Sequence, residues 1–380
     1  MAGLEGVTLG IRIGPVATQP VPPDVAAAFE GAEVTQASGG RSGFQLSFLY
    51  SKTSPIATQR LPGGYFDPLN RVILTATLGG VTRVLADGPV KRADVDASAV
   101  PGRNRLTLTG EDVLGYMDAI DFTGMPYPAV PASVRVLMML AKYPMFGVIP
   151  KVLPAPGDVI HSPTDRIPAQ QGSDLEYMTR LAQDAGYVLY AEPGPKPGMN
   201  TVYWGPEMRL GTEQPALTLD MDQARNVDSL SFTADGDAAE QKFAFVKAAN
   251  FSVPVPVPNV GLLKPPLAGR PIVPSRLRLM ETERLGAVEA IGLALGGAAR
   301  GDPLTASGTL DVARYGAPLE ARKLATVRGA GIAHDGTWYV SSVTHRLKPG
   351  SWTQAFSLAR DGLLPRAFTP PPLPATGVPT

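Results

Sequence analysis

The 380-residue sequence contains no cysteine and only three histidines. Without cysteine the chain forms neither disulfides nor thiolate metal sites, and it has no thiol nucleophile. The histidines, His161, His334 and His345, are scattered, and no H-E-x-x-H motif is present, so the sequence indicates no zinc site. We therefore expect no metal and no cofactor, and we assign no catalytic, cofactor-binding or metal-binding residues.

The chain also lacks any surplus of charge. It has 34 basic and 34 acidic residues, and charged residues make up 18% of it, below the usual value of about 25%. A balanced charge does not favour nucleic acid or an anionic membrane surface as a partner. The low charged fraction has two interpretations. Either the protein hides surface in permanent contacts, or alanine, glycine and the 39 prolines dilute the charge.

Long apolar runs are missing as well. No window reaches the roughly 18 uninterrupted apolar residues of a transmembrane helix, so no membrane span is predicted. The first residues, MAGLEGVTLGIRIG, lack the basic start and apolar stretch of a signal peptide. We expect a protein that is made in the cytoplasm.

One arrangement of residues allows a Ser/His/Asp triad to be imagined. His334 precedes Asp335, and Ser341 and His345 follow on a predicted strand. Residues four apart on a strand share a face but lie about 13 Å apart, and no G-x-S-x-G elbow is present. We interpret these residues as surface or packing groups.

Other polar clusters are equally weak. Asp220, Asp222 and Asp228 lack the glycine and glutamate of a calcium loop. Gly329 and Gly331 belong to a broken G-x-G-x-x-G string between predicted strands, which is typical of a turn rather than a nucleotide site.

Two carboxylate pairs could act as acid and base. They are Asp94 with Asp96, and Glu111 with Asp112. Beside strands and at a helix start, however, carboxylates are usually solvated or capping groups, and we favour that interpretation.

Residues 1–122 have the pattern of a β-rich unit. Apolar residues alternate from Phe44 to Tyr50, as in a half-buried strand. The β-prone runs 72–78 and 81–85 flank Gly79-Gly80, which predicts a tight hairpin. The other predicted elements of this unit are strands at 7–13 and 105–109 and a short closing helix at 111–120.

Residues 123–206 are predicted to form a small α/β insert. Its strongest signal is a helix after Ser173, where Glu176 completes a capping box and Gly186 suits the C-terminal position with positive φ. Strands are predicted at 187–191 and 201–204. The apolar stripe of the helix consists of Leu175, Met178, Leu181, Ala182 and Ala185.

An earlier helix is predicted at 132–143, ended by Pro144. Its apolar residues Val134, Leu137, Met138 and Ala141 share one face. The apolar run 136–140, which contains Met138 and Met139, is compatible with a binding face, but core packing is the favoured interpretation.

Residues 207–364 are predicted to form the second β-rich unit. Strands at 227–233 and 242–246 are expected to pair around Asp235-Gly236, and Lys348-Pro349-Gly350 predicts another hairpin between strands 338–347 and 352–358. The proline-rich segment 250–275 predicts an exposed or partner-bound loop. The remaining predicted elements are a helix at 281–300, strands at 308–312 and 324–327, and an extended proline-rich tail at 365–380.

Five segments occur in a characteristic order. The most distinctive is QGSDLEYMTRLAQDAGYVLY (171–190), a capped helix followed by a Gly-aromatic strand. The others are 106–120, 133–143, 284–295 and 327–362. Together they resemble the tail-hub family, which includes late-control D proteins, baseplate hubs of contractile phages, and the hub part of VgrG spike proteins in type VI and extracellular contractile injection systems. The resemblance covers residues 105–362, and the first hundred residues match no motif of the family.

The resemblance implies a structural protein that is not an enzyme. Its fold would be mainly β with an α+β insert, and residues 1–122 and 207–364 would be two tube-like β-barrel domains. Three chains would form a pseudo-sixfold ring that adapts a sixfold tail tube to a threefold spike. The implied partners are two further copies of the chain, a spike protein, the tail tube or its initiator protein, and other baseplate subunits, in a phage or an injection system.

VgrG proteins continue into an OB-like domain and a β-helix, whereas this sequence ends with the proline-rich tail. We therefore expect the spike to be a separate chain, and docking of the tail on that spike is a further hypothesis.

Two other functions stay open at this point. A β-rich adhesin or carbohydrate-binding module would need an exposed groove lined with aromatic residues. A cell-wall hydrolase would need a positioned pair of carboxylates or a metal triad.

Overall fold

The computed structural model describes residues 7–155, 167–220, 225–236, 264–272 and 302–366, together with the backbone of three strands at 240–248, 251–256 and 276–280. Four predicted features lie outside these residues: His161, Asp222, the helix at 281–300, and the proline-rich tail beyond residue 366.

The first β-rich unit is made of antiparallel strands with short helical turns at its connections. Its elements are β1 (Thr8–Gly14), β2 (Gln19–Pro20), α1 (Pro23–Ala27), β3 (Phe29–Ala37), β4 (Gly43–Tyr50), a π-helical turn (Ile56–Arg60), β5 (Arg71–Leu78), β6 (Val81–Asp96), β7 (Asn104–Glu111) and a 3-10 helix (Val113–Asp118).

The insert combines two α-helices with a separate small sheet of order β8-β10-β9. Its elements are α2 (Ala132–Leu140), a 3-10 turn (Pro144–Phe146), β8 (Val148–Val152), α3 (Asp174–Ala185), β9 (Val188–Pro193) and β10 (Asn200–Gly205).

The second β-rich unit supplies the remaining strands and one short helix. They are β11 (Gln214–Thr218), β12 (Val227–Ala234), β13 (Glu240–Ala248), β14 (Phe251–Pro256), β15 (Ala268–Pro271), β16 (Arg276–Met280), β17 (Leu304–Asp311), α4 (Val312–Tyr315), β18 (Leu324–Arg328), β19 (Gly336–Lys348), β20 (Ser351–Arg360) and β21 (Gly362–Pro365).

Strands of both units lie in one open sheet. Its long part, which we call the ribbon, has the order β6-β7-β4-β3-β19-β20-β17-β12. Each neighbouring pair in the ribbon is antiparallel. The two units meet where β3 pairs with β19, with Val34 opposite His345. The first residues of β19 pair with β18, which lies on the same side of β19 as β3. At the other end of the ribbon, the first half of β6 pairs with β5.

One hydrophobic core under the ribbon joins both units. It contains Leu46 and Phe48 of the first unit and Trp338, Phe356 and Leu358 of the second, all buried. The alternation predicted from Phe44 to Tyr50 is confirmed, because every second residue of β4 points into this core. A second core fills the insert.

Several local predictions are confirmed. Gly79 and Gly80 connect β5 to β6 with φ of 57° and 80°, values that glycine adopts at no steric cost. The capping box of Ser173 and Glu176 begins α3, and Gly186 ends it with φ 66°. The closing helix of the first unit is a 3-10 helix at Val113–Asp118 rather than a longer α-helix.

Core packing, the interpretation favoured for the apolar run 136–140 of the first insert helix, holds for only part of that run. Val134, Leu137 and Met138 are 41%, 40% and 47% exposed, and it is Val136 and Met139 on the other side that are fully buried. The helix has apolar residues all round, so the sequence pattern does not define a unique inner face. An apolar stripe of α2 is therefore exposed.

Strand pairing in the second unit also differs from prediction. β12 pairs with β17 and not with β13, while β13 pairs with β14 and β16. Part of the segment at 250–275 is not a loop, because β14 and β15 both lie in it and pair with other strands. Proline is tolerated in such short strands at sheet edges.

Candidate functional site

The residues of the imagined triad are separate packing groups. Ser341 Oγ donates a hydrogen bond to the Ser357 carbonyl at 3.1 Å. His345 is 2% exposed, and its Nδ1 accepts from the Trp352 indole at 3.2 Å and lies 3.2 Å from the Gln354 amide nitrogen. Burial lowers the pKa of His345 to about 4, so the ring is neutral at pH 7. An enclosed neutral ring packs the core and has no route to a substrate.

His334 and Asp335 form a turn. The Asp335 carboxylate accepts a hydrogen bond from the Ala330 amide at 2.8 Å, and Gly329 and Gly331 have positive φ. The His334 ring packs against Phe232 with 4.3 Å between ring centroids. The broken glycine string is thus a turn, as predicted.

Three of the four carboxylates in the two pairs are engaged in local contacts. Asp94 accepts from Arg92 at 2.7 Å on an exposed stretch of β6. Glu111 pairs with Arg41 at 2.8 Å. Asp112 caps the 3-10 helix by accepting from the Leu114 amide at 2.9 Å, and burial raises its pKa to about 7.

No three-residue cluster of acidic or histidine ligands that could hold a metal occurs among the described residues. Asp228 pairs with Arg314 instead, on the exposed surface of β12. Asp222 lies outside the described residues.

A cleft of about 1200 Å³ opens between α3, the β3–β4 turn and the second unit. The wall formed by the second unit holds a buried ionic cluster. In it Arg209 donates to Asp302 at 3.0 Å and to Glu207 at 3.0 Å, and Lys264 lies 3.1 Å from Glu207. Burial alone would raise the pKa of Asp302, but the charges of Arg209 and Lys264 outweigh it and hold that pKa below its usual value. These carboxylates are neutralised, so they clamp segments together rather than offer a base.

A buried ion pair joins the insert to the first unit. Arg71 of β5 binds Asp87 of β6 with two hydrogen bonds of 2.6 and 2.8 Å, and both side chains are almost fully buried. The Asn200 amide of the insert donates to the same carboxylate at 3.0 Å, and Arg71 also donates to the Phe146 carbonyl at 2.9 Å. Arg71 and Asp87 thus each have hydrogen-bond partners in both the first unit and the insert, which fixes the orientation of the insert.

Arg322 of the second unit contacts the other two parts of the chain. Its guanidinium donates to the Ala37 carbonyl at 2.8 Å and to Glu192 of the insert at 3.1 Å. It also lies over the Tyr190 ring at 4.2 Å from the centroid, within the range of cation–π attraction. Arg322 thus links the second unit to both the first unit and the insert.

The ribbon contains an internal repeat. Within the ribbon, each unit begins with two strands that pair with each other, β3 with β4 and β12 with β17. The later hairpin of the same unit, β6-β7 or β19-β20, pairs through its second strand with the second of these, β7 with β4 and β20 with β17. Bulges occur at matching places, between Val90 and Arg92 on β6 and between Val340 and Ser342 on β19. The two units therefore supply four equivalent strands each.

The ribbon has two edges without a partner in the described part of the chain. One is β12, which is paired on one side by β17. The other is the second half of β6, where residues 91–96 are paired on one side by β7, whereas β5 covers the first half of the strand. Unpaired strand edges are templates for pairing with another chain.

The face of the ribbon opposite the core is rich in hydroxyl groups. Thr35 and Thr344 hydrogen-bond to each other across β3 and β19 with 3.0 Å between their oxygens. Other side chains on this face are Ser47, Thr109, Ser229, Ser231, Thr233, Ser307, Thr309 and Ser357. The large aromatics of the ribbon, such as Phe44, Phe48 and Phe356, point into the core. The open face is therefore polar and does not have the aromatic lining of a sugar-binding groove.

No described helix is long and apolar enough to cross a membrane. No protein-family model matches the sequence, and no curated protein matches it.

Two solved structures with the same fold are tail proteins. A tail protein from Neisseria meningitidis MC58 is 13% identical and matches 94% of this chain and 98% of its own length, with TM-score 0.57. The 43 kDa tail protein of prophage MuSo2 from Shewanella oneidensis is 12% identical over 94% of this chain and 100% of its own, with TM-score 0.58.

A third structure comes from a secretion machine. The E. coli c3393 protein, described as a component of the type VI secretion system with structural similarity to bacteriophage T4 tail proteins gp27 and gp5, is 12% identical. It matches 90% of this chain and 77% of its own length, with TM-score 0.50. The resemblance stated from the sequence is thus confirmed at the level of the fold: this chain has the fold shared by phage tail proteins and a type VI secretion component.

Proposed function

We propose that the chain is the structural hub of a phage-tail-like contractile machine. In this role three copies form a ring that adapts a sixfold tail tube to a threefold spike carried on a separate chain. The fold supports this, since its structural neighbours are tail and secretion-system proteins. The hub works by geometry and catalyses no reaction.

The internal repeat of the ribbon is the observation that carries the proposal. Each chain supplies two equivalent sets of four strands, so three chains supply six sets and a pseudo-sixfold arrangement. The strands alternate in direction along the ribbon, and β12 and β6 at its two edges run in opposite directions. Edge-to-edge joining of copies would therefore continue the antiparallel alternation and close a tube.

Ring closure also gives roles to other features. The hydroxyl-rich face would line the inside of the tube, because the hydrophobic core lies on the opposite face of the ribbon. The low charged fraction of the sequence fits a protein with large permanent interfaces.

The insert is the part that we assign to contacts outside the ring. It is held rigidly by the Arg71–Asp87 pair and by Arg322, while its exposed surface is free to meet the spike or other baseplate subunits. A rigid joint matters here because a misaligned insert would misplace every contact that depends on it.

Light scattering and negative-stain imaging of the purified chain test this function. We expect the mass of three 39.9 kDa chains and a hollow ring with six lobes. A chain that stays monomeric at every concentration would contradict the proposal.

A further inference from the structure

We propose that the ring is closed by a specific strand pair, in which β12 of one copy lies antiparallel to the second half of β6 in the next. The inference rests on the proposed trimeric hub and adds the residues that meet at its interface. The partner is a second copy of this chain, because the chain already contains the same junction once, between β3 and β19.

β3 and β12 occupy equivalent places in the two units. On β3 a bulge lies between Phe29 and Gly31, and Ala32 then pairs with Leu46 of β4. On β12 a bulge lies between Val227 and Ser229, and Leu230 then pairs with Gly308 of β17. Aligning the bulges makes Val34 equivalent to Phe232 and Thr35 equivalent to Thr233.

β19 and β6 are likewise equivalent. β19 has a bulge between Val340 and Ser342 where it pairs with β20, and β6 has one between Val90 and Arg92 where it pairs with β7. Aligning them makes Thr344 equivalent to Asp94 and His345 equivalent to Val95. Both alignments rest on hydrogen-bonded register alone and use no similarity of sequence.

The internal junction then predicts the register of the external one. Within the chain, Val34 lies opposite His345 and Thr35 opposite Thr344. Transferred to the two free edges, this register gives the following pairs, with the β6 residue in the next copy: Leu230 with Ala97, Ser231 with Asp96, Phe232 with Val95, Thr233 with Asp94, Ala234 with Ala93, and Asp235 with Arg92.

The chemistry of the pairs agrees with this register. Val95 is 50% exposed in the isolated chain, and the register places it opposite Phe232, a half-buried ring packed on Trp338. Thr233 can donate a hydrogen bond to the Asp94 carboxylate. At the equivalent place inside the chain, the hydroxyls of Thr35 and Thr344 share one hydrogen bond. A shift by one residue would put Phe232 opposite a carboxylate, Asp94 or Asp96, and turn it to the wrong face.

Disulfide trapping tests the register in a chain that has no cysteine of its own. Thr233→Cys and Asp94→Cys are introduced together. Directly opposite strand residues have Cα atoms about 4.5–5.5 Å apart, within the range that a disulfide spans. We expect mild oxidation to give a ladder of cross-linked species on a non-reducing gel. Because each chain has one β12 edge and one β6 edge at opposite ends of the ribbon, it links to two neighbours. The third link closes the trimeric ring, so the ladder ends at three chains.

Two matched variants control the experiment. Thr35→Cys with Thr344→Cys should form the equivalent bond inside one chain and leave its mass unchanged. Ser231→Cys with Asp94→Cys is displaced by two residues, and diagonal partners about 7–8 Å apart should cross-link at least tenfold less.

The outcomes separate this inference from the proposed function. A trimer by light scattering with no cross-link at Thr233/Asp94, or with equal cross-linking in the displaced pair, would overturn the register while the hub stands. A monomer that never cross-links would overturn both. If the double variant does not fold, Val95→Asp is compared with Val100→Asp: the first should abolish trimer formation and the second should leave it unchanged.

Discussion

The two β-rich units share an arrangement of four strands but differ in what lies between those strands. Residues 38–42 connect β3 to β4, whereas residues 235–303 connect β12 to β17. Both units keep the same bulges and the same register in spite of this difference. Hydrogen-bonded pairing therefore fixes the frame, and the connections are free to carry insertions.

The same comparison separates the buried internal junction from the two exposed edges of the ribbon. At the β3–β19 junction Val34 and His345 are buried, with the two units sharing a core. At the edges the equivalent residues are Phe232, half-buried, and Val95, half-exposed. A position that is buried in one copy of the repeat is partly exposed at a strand edge in the other.

The largest effect that distinguishes the junctions is expected from a buried charge. Val34→Asp places an unpaired carboxylate at a 1% exposed site, so we expect a loss of more than about 4 kcal/mol in the free energy of unfolding. Val95→Asp, at the equivalent kind of junction on the free edge, should leave that free energy within about 0.5 kcal/mol. Urea unfolding of the parent and both variants, at a protein concentration low enough to keep all three monomeric, measures the contrast, and equal losses would contradict it.

The second prediction compares the ion pair of the first unit with its counterpart in the second. Asp87→Asn leaves the Arg71 guanidinium buried without its charge partner, so we expect a loss of about 3 kcal/mol. The equivalent residue of β19 is Thr337, whose hydroxyl donates to the exposed Glu213 at 2.7 Å. Thr337→Ala should cost less than about 1 kcal/mol, and thermal unfolding of the two variants tests the difference.

The third prediction concerns pH and His345, the counterpart of Val95. Its folded pKa of about 4 lies below the ordinary value of 6.5, so the unfolded chain binds an extra proton between these pH values. The stabilisation is complete above pH 6.5 and is lost as pH falls toward 4, by up to about 3 kcal/mol. Unfolding midpoints at pH 7 and 4.5 should differ less in His345→Val than in the parent chain. The same pH dependence in both proteins would contradict this.

The smallest effect is expected from an ion pair on the surface of the internal junction. Arg346 lies 3.4 Å from Glu33, and both side chains are about half exposed. Such pairs contribute from zero to about 1 kcal/mol, so Glu33→Gln should barely change the unfolding midpoint. A loss as large as that of Asp87→Asn would show that this pair, and not the shared core, holds the units together.

Local features of the fold were predictable where one short segment contains all the information. The Gly79-Gly80 hairpin, the capping box of α3 and the alternation on β4 depend on neighbours within a few residues, and all three are confirmed. The buried face of α2 was not predictable, because both sides of that helix are apolar and only packing against the insert sheet selects one.

The sequence by itself determined the β-rich character of the chain and the resemblance to tail hubs. It could not determine that β12 pairs with β17 across 70 residues, or that β3 pairs with β19 across the whole chain. Strand partners are chosen by the total burial of a shared core, and no single strand encodes its partner. The internal repeat, and with it the two matching edges, therefore exists only in the tertiary structure.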